Sequence, residues 1–509
     1  MKLEKVKNTK KGLVYGTINR VVGLLLPFVI QTVTIHRLGI EYIGVKGLFS
    51  SVLTVFSLAE LGFGSAIVYA MYKPIAEDNK EEINALLKLY RKIYRIIGLV
   101  ILIIGLALVP FLGIIVKEEC PGDLSLTLVY LLYLANTVIS YWMFSYKASV
   151  LNAYQRYDVI SNISTITLVV SSSVQILVLC VWKDFYAFLV VMVFATVLNN
   201  LITYVAVKRL YPEIKCEGQV GEAAVAEIKK KVLGLLTGKV CGVTRNTFDS
   251  IFISGFLGWT QTAIYSNYFY IIIALNSFTS VILGALLGGV GNSIVLESKQ
   301  KNYKDMMTMN NIYLFIAGAM AICMLCLYQP FMSKWMGPEN VYPSHIMILF
   351  PIYFYMTKMG DIRGVYADAA GLFWENRWRY VAEAVLNIFL NYILGKLFGV
   401  VGILAATILI VFFVAFLGST HVAFKHYFEK GMKKYLGIQF IMLAFTFLAG
   451  ALVFSLCCLI NYESEILTFL IRSVICLVLI PLLYWAVFHR TSEYKEAREF
   501  IIRVVLKKA

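Results

Sequence analysis

The chain has 509 residues, 60% hydrophobic and only 15% charged, with a formal net charge of +16 and a mean hydropathy of +0.76. Long apolar runs at this density exclude a soluble globular protein and mark a polytopic membrane protein. Nucleic acid is not needed to account for the positive excess, because Lys and Arg collect in segments that one membrane topology places on a single side.

Apolar segments of about 20 residues or more, enough to cross a bilayer, fall at 12–36, 42–71, 93–115, 124–145, 160–182, 185–207 and 233–256. The second half adds 262–291, 312–330, 344–367, 379–396, 400–420, 436–460 and 466–488. About fourteen spans, an even number, put both termini on one side. The first apolar run, Leu13 to about Ile35, is longer than a secretory h-region and no A-x-A pattern follows it, so it reads as a retained span. With the N-terminus cytoplasmic, inward segments carry clusters such as Lys88, Arg91, Lys92 and Arg95, or Lys229, Lys230 and Lys231. Outward loops carry single cations such as Arg37, Lys117, Lys183, Lys334 and Lys396. That asymmetry is the positive-inside pattern. All seven tryptophans fall at or near span ends, where an amphipathic ring prefers to sit.

Two inner loops are long. In residues 72–92, Asn79 and Glu82 have capping-box spacing, and Ile83, Leu86, Leu87, Tyr90, Ile93 and Tyr94 repeat at helical spacing. This predicts an amphipathic piece on the inner surface leading into the third span. Residues 208–232, with Pro212, Gly218 and Gly221, predict the linker between six spans and eight. The next segment, 233–256, is a poor span because it holds Lys239, Arg245 and Asp249. A charge at mid-bilayer costs roughly 3 kcal/mol on insertion scales, yet the topology requires this segment to cross. A faint repeat supports two lobes. Asn19 and Arg20 in the first span precede Leu38–Gly39 and Tyr42–Ile43; Lys239 and Arg245 in the seventh precede Leu257–Gly258 and Ile264–Tyr265.

Ionisable residues inside spans carry most of the functional information. Seven are basic: Arg20, Lys46, Lys239, Arg245, Lys358, Arg363 and Arg472. Five are acidic: Glu60, Asp249, Asp361, Asp368 and Glu383. One reading is internal neutralisation, since Arg245 and Asp249 are four apart and Lys358 and Asp361 three apart. The other is a water-filled, cation-lined cavity that holds an anionic head group, for which the forked guanidinium is suited. On that reading Arg20, Lys46, Lys239, Arg245, Lys358 and Arg363 bind substrate, while Glu60, Asp249 and Asp361 are candidates for ion coupling. Serines, threonines and Gln175 along the fifth span would either bind sugar hydroxyls or bond neighbouring helices.

No catalytic signature is present, so the chain reads as a transporter and not an enzyme. The five histidines lack metal-ligand spacing, and Gly238–Lys239 has neither the first glycine nor the Ser or Thr of a phosphate loop. No cofactor or metal is expected. Most of the nine cysteines lie in apolar spans, and Cys323 and Cys326, despite redox-motif spacing, read as packing.

Leu38–Asn79 (LGIEYIGVKGLFSSVLTVFSLAELGFGSAIVYAMYKPIAEDN), Ala148–Ile163 (ASVLNAYQRYDVISNI) and Asp249–Ile271 (DSIFISGFLGWTQTAIYSNYFYI) resemble Wzx-type polysaccharide flippases. These share a superfamily (MOP) with MurJ-like lipid flippases and MATE drug exporters. The resemblance implies an all-α membrane fold of two pseudo-symmetric six-helix lobes around a central cavity, plus two C-terminal helices. The corresponding divisions are an N-lobe at 1–207, a linker at 208–232, a C-lobe at 233–435, and 436–509 for the last two spans and a basic tail. It also implies translocation of an undecaprenyl-pyrophosphate-linked oligosaccharide from inner to outer leaflet of a bacterial cytoplasmic membrane, with both termini cytoplasmic. Implied partners are membrane lipids, the lipid-linked glycan, and a polysaccharide polymerase and glycosyltransferases. Arg20, Lys46 and Arg245 match the family's cavity cations by type and span. The alternatives are a cation-coupled drug exporter of the same fold and a membrane glycosyltransferase or polymerase; the short outer loops weigh against the latter.

Overall fold

The computed structural model describes residues 5–57, 63–115, 119–122, 124–460, 464–491, 494–496 and 498–499; the side chains of residues 5–13, 233–246 and a few others lie outside the description. Among the described residues every regular element is a helix, and the helices follow the apolar segments in order. Nine are long and apolar enough to cross a membrane. Two of these, Thr247–Leu296 and Arg377–Phe428, have 50 and 52 residues, more than twice what a bilayer needs.

Glycine divides both. Gly258 (φ 84°, ψ −173°) interrupts the helix Glu222–Leu296, and Gly399 (φ 59°, ψ −135°) interrupts Arg377–Ile410. Both lie in the left-handed region that a Cβ disfavours, so each break turns one long helix into two spans. Other spans are built from pieces. The second combines Glu41–Phe56 and Phe63–Ala76, and the tenth runs through Leu349–Lys358 and Asp361–Ala369. Length alone therefore undercounts the crossings that the hydropathy pattern shows. The protein is a multi-pass membrane protein.

Two compact units result, Met1–Ala263 and Ile264–Ala509. In the first, Val45, Leu48 and Phe49 are wholly buried, with the Phe49 ring 5.7 Å from Tyr130 and 5.9 Å from Tyr133. Lipid tails are as apolar as leucine, so close fit rather than water avoidance selects such packing inside a bilayer. Gly44 is a point of close backbone approach, since a Cβ there would lie 2.2 Å from the Trp259 carbonyl oxygen.

The capping box forms as its spacing predicts. Asn79 Oδ1 accepts from the Glu82 backbone N–H at 3.1 Å, and Asn79 Nδ2 donates to Glu82 Oε2 at 3.1 Å. The helix it starts runs unbroken from Lys80 to Leu108. Its apolar stripe does not lie on the membrane surface, however. Ile83, Leu86, Leu87, Tyr90 and Tyr94 are buried in the core of the first unit, because protein offers closer contacts than the interface does. The linker also differs from its composition. Only 211–221 is irregular, and helix resumes at Glu222. Tyr211 stacks on Tyr154 at 4.3 Å and the Lys215 N–H donates to Asn84 Oδ1 at 2.6 Å, so the segment is fastened down. Trp182, Trp374, Trp378 and Trp485 are exposed as a belt requires, but Trp259 and Trp335 are 2% and 5% exposed and serve packing instead.

Candidate functional site

The first helix, Lys5–Arg37, carries two different stripes. Val14, Ile18, Val21, Leu25 and Val29 form an exposed apolar face. Thr17, Arg20, Leu24 and Gln31, at successive steps of three, four and seven residues, lie along a separate stripe. Between them and the protein interior, Asn19 Nδ2 donates to Thr165 Oγ1 at 2.9 Å and to the Ser161 carbonyl at 3.3 Å, tying this helix to Tyr157–Val181. Arg20 itself is exposed and has no hydrogen bond or ion pair among the described residues. An arginine well inside a span with no acid beside it among the described residues is the feature that helix packing does not explain.

Lys46 is placed in a comparable way. The helix Glu41–Phe56 buries Ile43, Val45, Leu48 and Phe49 on its core side, leaving Lys46, Ser50 and Thr54 as a polar stripe on the other. Lys46 is half-buried and has no carboxylate partner among the described residues. Lys239 and Arg245 belong to the helix Glu222–Leu296, but their side chains lie outside the described residues, and so does Glu60. Asp249, one turn after Arg245, is 1% exposed.

The second unit holds a polar centre that spacing only half revealed. The tenth span breaks at Met359–Gly360, between Leu349–Lys358 and Asp361–Ala369. Lys358 Nζ lies 3.1 Å from Asp361 Oδ2, and the Tyr313 hydroxyl donates to the same oxygen at 2.5 Å. Lys358 is thus neutralised by Asp361 here, the pairing that their spacing allowed. Arg363 is 3% exposed, and its Nε and Nη1 have no hydrogen-bond partner among the described residues. Gly360 makes room for it, since a Cβ there would meet Arg363 Nη2 at 2.4 Å. The break leaves the Met359 carbonyl without a helical partner, and Tyr435 Oη (3.1 Å) and Gln439 Nε2 (2.7 Å) donate to it. Gln439 Nε2 also reaches Asn310 Oδ1 at 2.9 Å.

Tyr313, Asn310, Tyr435 and Gln439 escaped the sequence reading because they are uncharged and lie on helices remote in sequence. A glutamine and an asparagine in otherwise apolar spans were the available signal. Other ionisable residues do structural work. Arg472 caps the Ile460 carbonyl at 2.9 Å, and Arg379 binds Glu383 at 2.7 Å. In the polar fifth span, Thr165, Ser171 and Ser173 donate to carbonyls of their own helix.

Arg156 grips Asp158 through Nε at 2.9 Å and Nη2 at 3.0 Å, just where Tyr157–Val181 begins. Burial acts to raise the Asp158 pKa, but the two Arg156 contacts outweigh it and hold the carboxyl below its ordinary value. A depressed folded pKa gives stability that is present above the unfolded carboxylate range and is lost as pH falls through the folded value. Asp158→Asn is therefore expected to cost about 2 kcal/mol at neutral pH. The difference from wild type should persist at neutral pH and begin to shrink only below about pH 4, disappearing as pH falls through the lower folded value, read as thermal midpoints in detergent across that range. Nearby Lys147 is pushed down by burial and by Arg91; its Nζ donates to the Ile214 carbonyl at 3.4 Å. Lys88, Arg91, Lys92 and Arg95 line a cleft of about 680 Å³ beside residues 216–220, consistent with a surface suited to an anionic leaflet.

No protein-family model matches the chain, and neither does any curated protein. Solved structures do. The lipid II flippase MurJ in an inward closed conformation superposes with a TM-score of 0.65 at 14% identity, covering 94% of this chain and 98% of that one. A multidrug-resistance MATE family transporter of the MOP superfamily, inward-facing, gives 0.64 at 14% identity over 81% and 98%. A mutant of the Vibrio cholerae MATE transporter VcmN gives 0.56 at 14% identity over 85% and 99%. At such identities the likeness establishes the fold, which is that of the MOP-superfamily transporters.

Proposed function

We propose that the protein is a flippase that carries an undecaprenyl-pyrophosphate-linked oligosaccharide from the inner to the outer leaflet by alternating access, for surface polysaccharide synthesis in a bacterial cytoplasmic membrane. The observation that carries this reading is Arg20: exposed, on a polar stripe inside a span, and without a counter-ion among the described residues. With Lys46 similarly placed, the first unit offers cations that a pyrophosphate would satisfy. Lys239 and Arg245 of the seventh span are further candidate cations, and the second unit has its own in Arg363 and, once Asp361 releases it, Lys358. Asp249, Asp361 and Glu60 are the candidates for coupling an ion.

The lipid tail needs an apolar path as well. A groove of about 510 Å³ lined by Ile271, Leu275, Phe315, Met320, Leu327 and Phe469 supplies a wholly apolar wall within the second unit. On this reading the lobes are 1–207 and 233–435, joined by 208–232, with 436–509 adding the last two spans. Both termini are cytoplasmic, and a polymerase and glycosyltransferases work on the same glycan.

The test is transport of the lipid-linked sugar in reconstituted vesicles. Arg20→Gln combined with Arg245→Gln should reduce it at least about a hundredfold, the loss expected when two charge-assisted phosphate contacts of 1.5–3 kcal/mol each disappear, at unchanged protein abundance. Full activity of the double variant overturns the proposed site. Efflux of a cationic dye that depends on Asp249 or Asp361, with no sugar transport, selects the drug-exporter alternative.

A further inference from the structure

Three helices of the second unit each bring a cysteine to one point. Cys326 lies in Lys299–Met336, Cys457 in the last turn of Lys433–Cys458, and Cys476 in Glu465–Phe488. Their three sulfurs lie within 4.8 Å of one another. They are 1%, 0% and 1% exposed, and they are the only fully buried cysteines among the described residues. Cys323, one turn from Cys326, packs against the same cluster. Sequence spacing alone made Cys323 and Cys326 look like packing, because Cys457 and Cys476 are far away along the chain.

Packing accounts for one buried thiol well, since it fills space much as a methyl group does. It gives no reason for three sulfurs from three helices to converge while the other buried side chains of the cluster, Ile322, Ala449, Val453 and Ile480, are hydrocarbon. A second feature is electrostatic. Arg472, one turn before Cys476, donates through Nη1 to the Cys326 carbonyl at 3.4 Å and through Nη2 to the Ile460 carbonyl at 2.9 Å. A guanidinium is thereby tethered beside the sulfurs.

We infer that Cys326, Cys457 and Cys476 form a thiolate site for a d10 metal ion of the Zn(II) class. Sulfur ligands select soft or borderline ions and reject Mg(II) and Ca(II), which need oxygen. Charge chooses among the soft ones. Binding releases three thiol protons to solvent, leaving three negative charges. A divalent ion brings the site to one negative charge, which Arg472 offsets; a monovalent ion such as Cu(I) leaves one uncompensated charge in hydrocarbon, where that is costly. The ion clamps the last two helices to Lys299–Met336.

The experiment titrates the reduced, full-length protein in detergent with Cd(II), a spectroscopic probe for Zn(II) sites, in thiol-free buffer. One saturable equivalent, with a thiolate-to-cadmium charge-transfer band and a raised thermal midpoint, is expected. The band should be lost in Cys326→Ser, Cys457→Ser and Cys476→Ser and retained in Cys180→Ser and Cys458→Ser, which alter exposed thiols. Arg472→Gln should weaken binding about tenfold, the usual scale for a supporting group around a metal. Wild-type protein that unfolds cooperatively yet shows no saturable band overturns the inference. So does a band that survives in the triple cysteine variant, or an intact mass showing the cluster already oxidised to a disulfide.

Discussion

Asp361→Ala is expected to destabilise the protein by about 3–5 kcal/mol, the cost of leaving a buried charge without its partner. Lys358 is 7% exposed and its ammonium sits 3.1 Å from the carboxylate that would be lost. The Tyr313 hydroxyl loses its acceptor at the same time. Lys358→Met combined with Asp361→Ala should recover most of the loss, because a methionine fills the lysine's volume without a charge to desolvate. Thermal or denaturant unfolding of the two variants in detergent measures both quantities. Equal stability of the single and double variants would mean that Lys358 finds another counter-charge or water when Asp361 is gone.

Gly44→Val should be nearly as damaging for a reason that involves no charge. An added Cβ would lie 2.2 Å from the Trp259 carbonyl oxygen, 2.8 Å from its carbon and 3.0 Å from its Cα. All three are backbone atoms, so no rotamer change relieves the overlap, and one whole segment must shift. Overpacking typically costs 1–3 kcal/mol, and a backbone obstacle belongs at or above about 3 kcal/mol on that scale. Gly23→Ala is the control, because a Cβ there meets nothing within 4 Å and alanine has the higher helix propensity, by about 1 kcal/mol. Lower yield and a lower unfolding midpoint for Gly44→Val, with neither for Gly23→Ala, is the expected pattern. Wild-type behaviour of both would show that the contact at Trp259 is looser than its distances imply.

The membrane fold was legible because its signals are local: apolar runs, cation asymmetry and the Asn79–Glu82 cap all read directly from short windows. Where a property depended on what faces a segment, the sequence fell short. The stripe Ile83–Leu86–Leu87–Tyr90–Tyr94 announced its amphipathicity but not whether lipid or protein would cover it. Trp259 occupies a span end, as its residue type suggests, yet Gly44 turns that position into a packing seat. Lys358 and Asp361 disclosed their pairing by spacing, whereas Tyr313, Tyr435 and Gln439 join them only through folding. Gly258 and Gly399 fall in the gaps, 257–261 and 397–399, that hydropathy already leaves between spans; the backbone angles add how each turn is made without ending the helix on either side.

The interrupted tenth span has a mechanical corollary. A helix that pauses ordinarily invites straightening, because its orphaned carbonyl regains a partner when it does. At Met359 that carbonyl already accepts from both Tyr435 and Gln439, so straightening would strand two interior donors to rescue a single acceptor. Straightening the elbow thus gives up two interior hydrogen bonds to regain one, which favours the bent form.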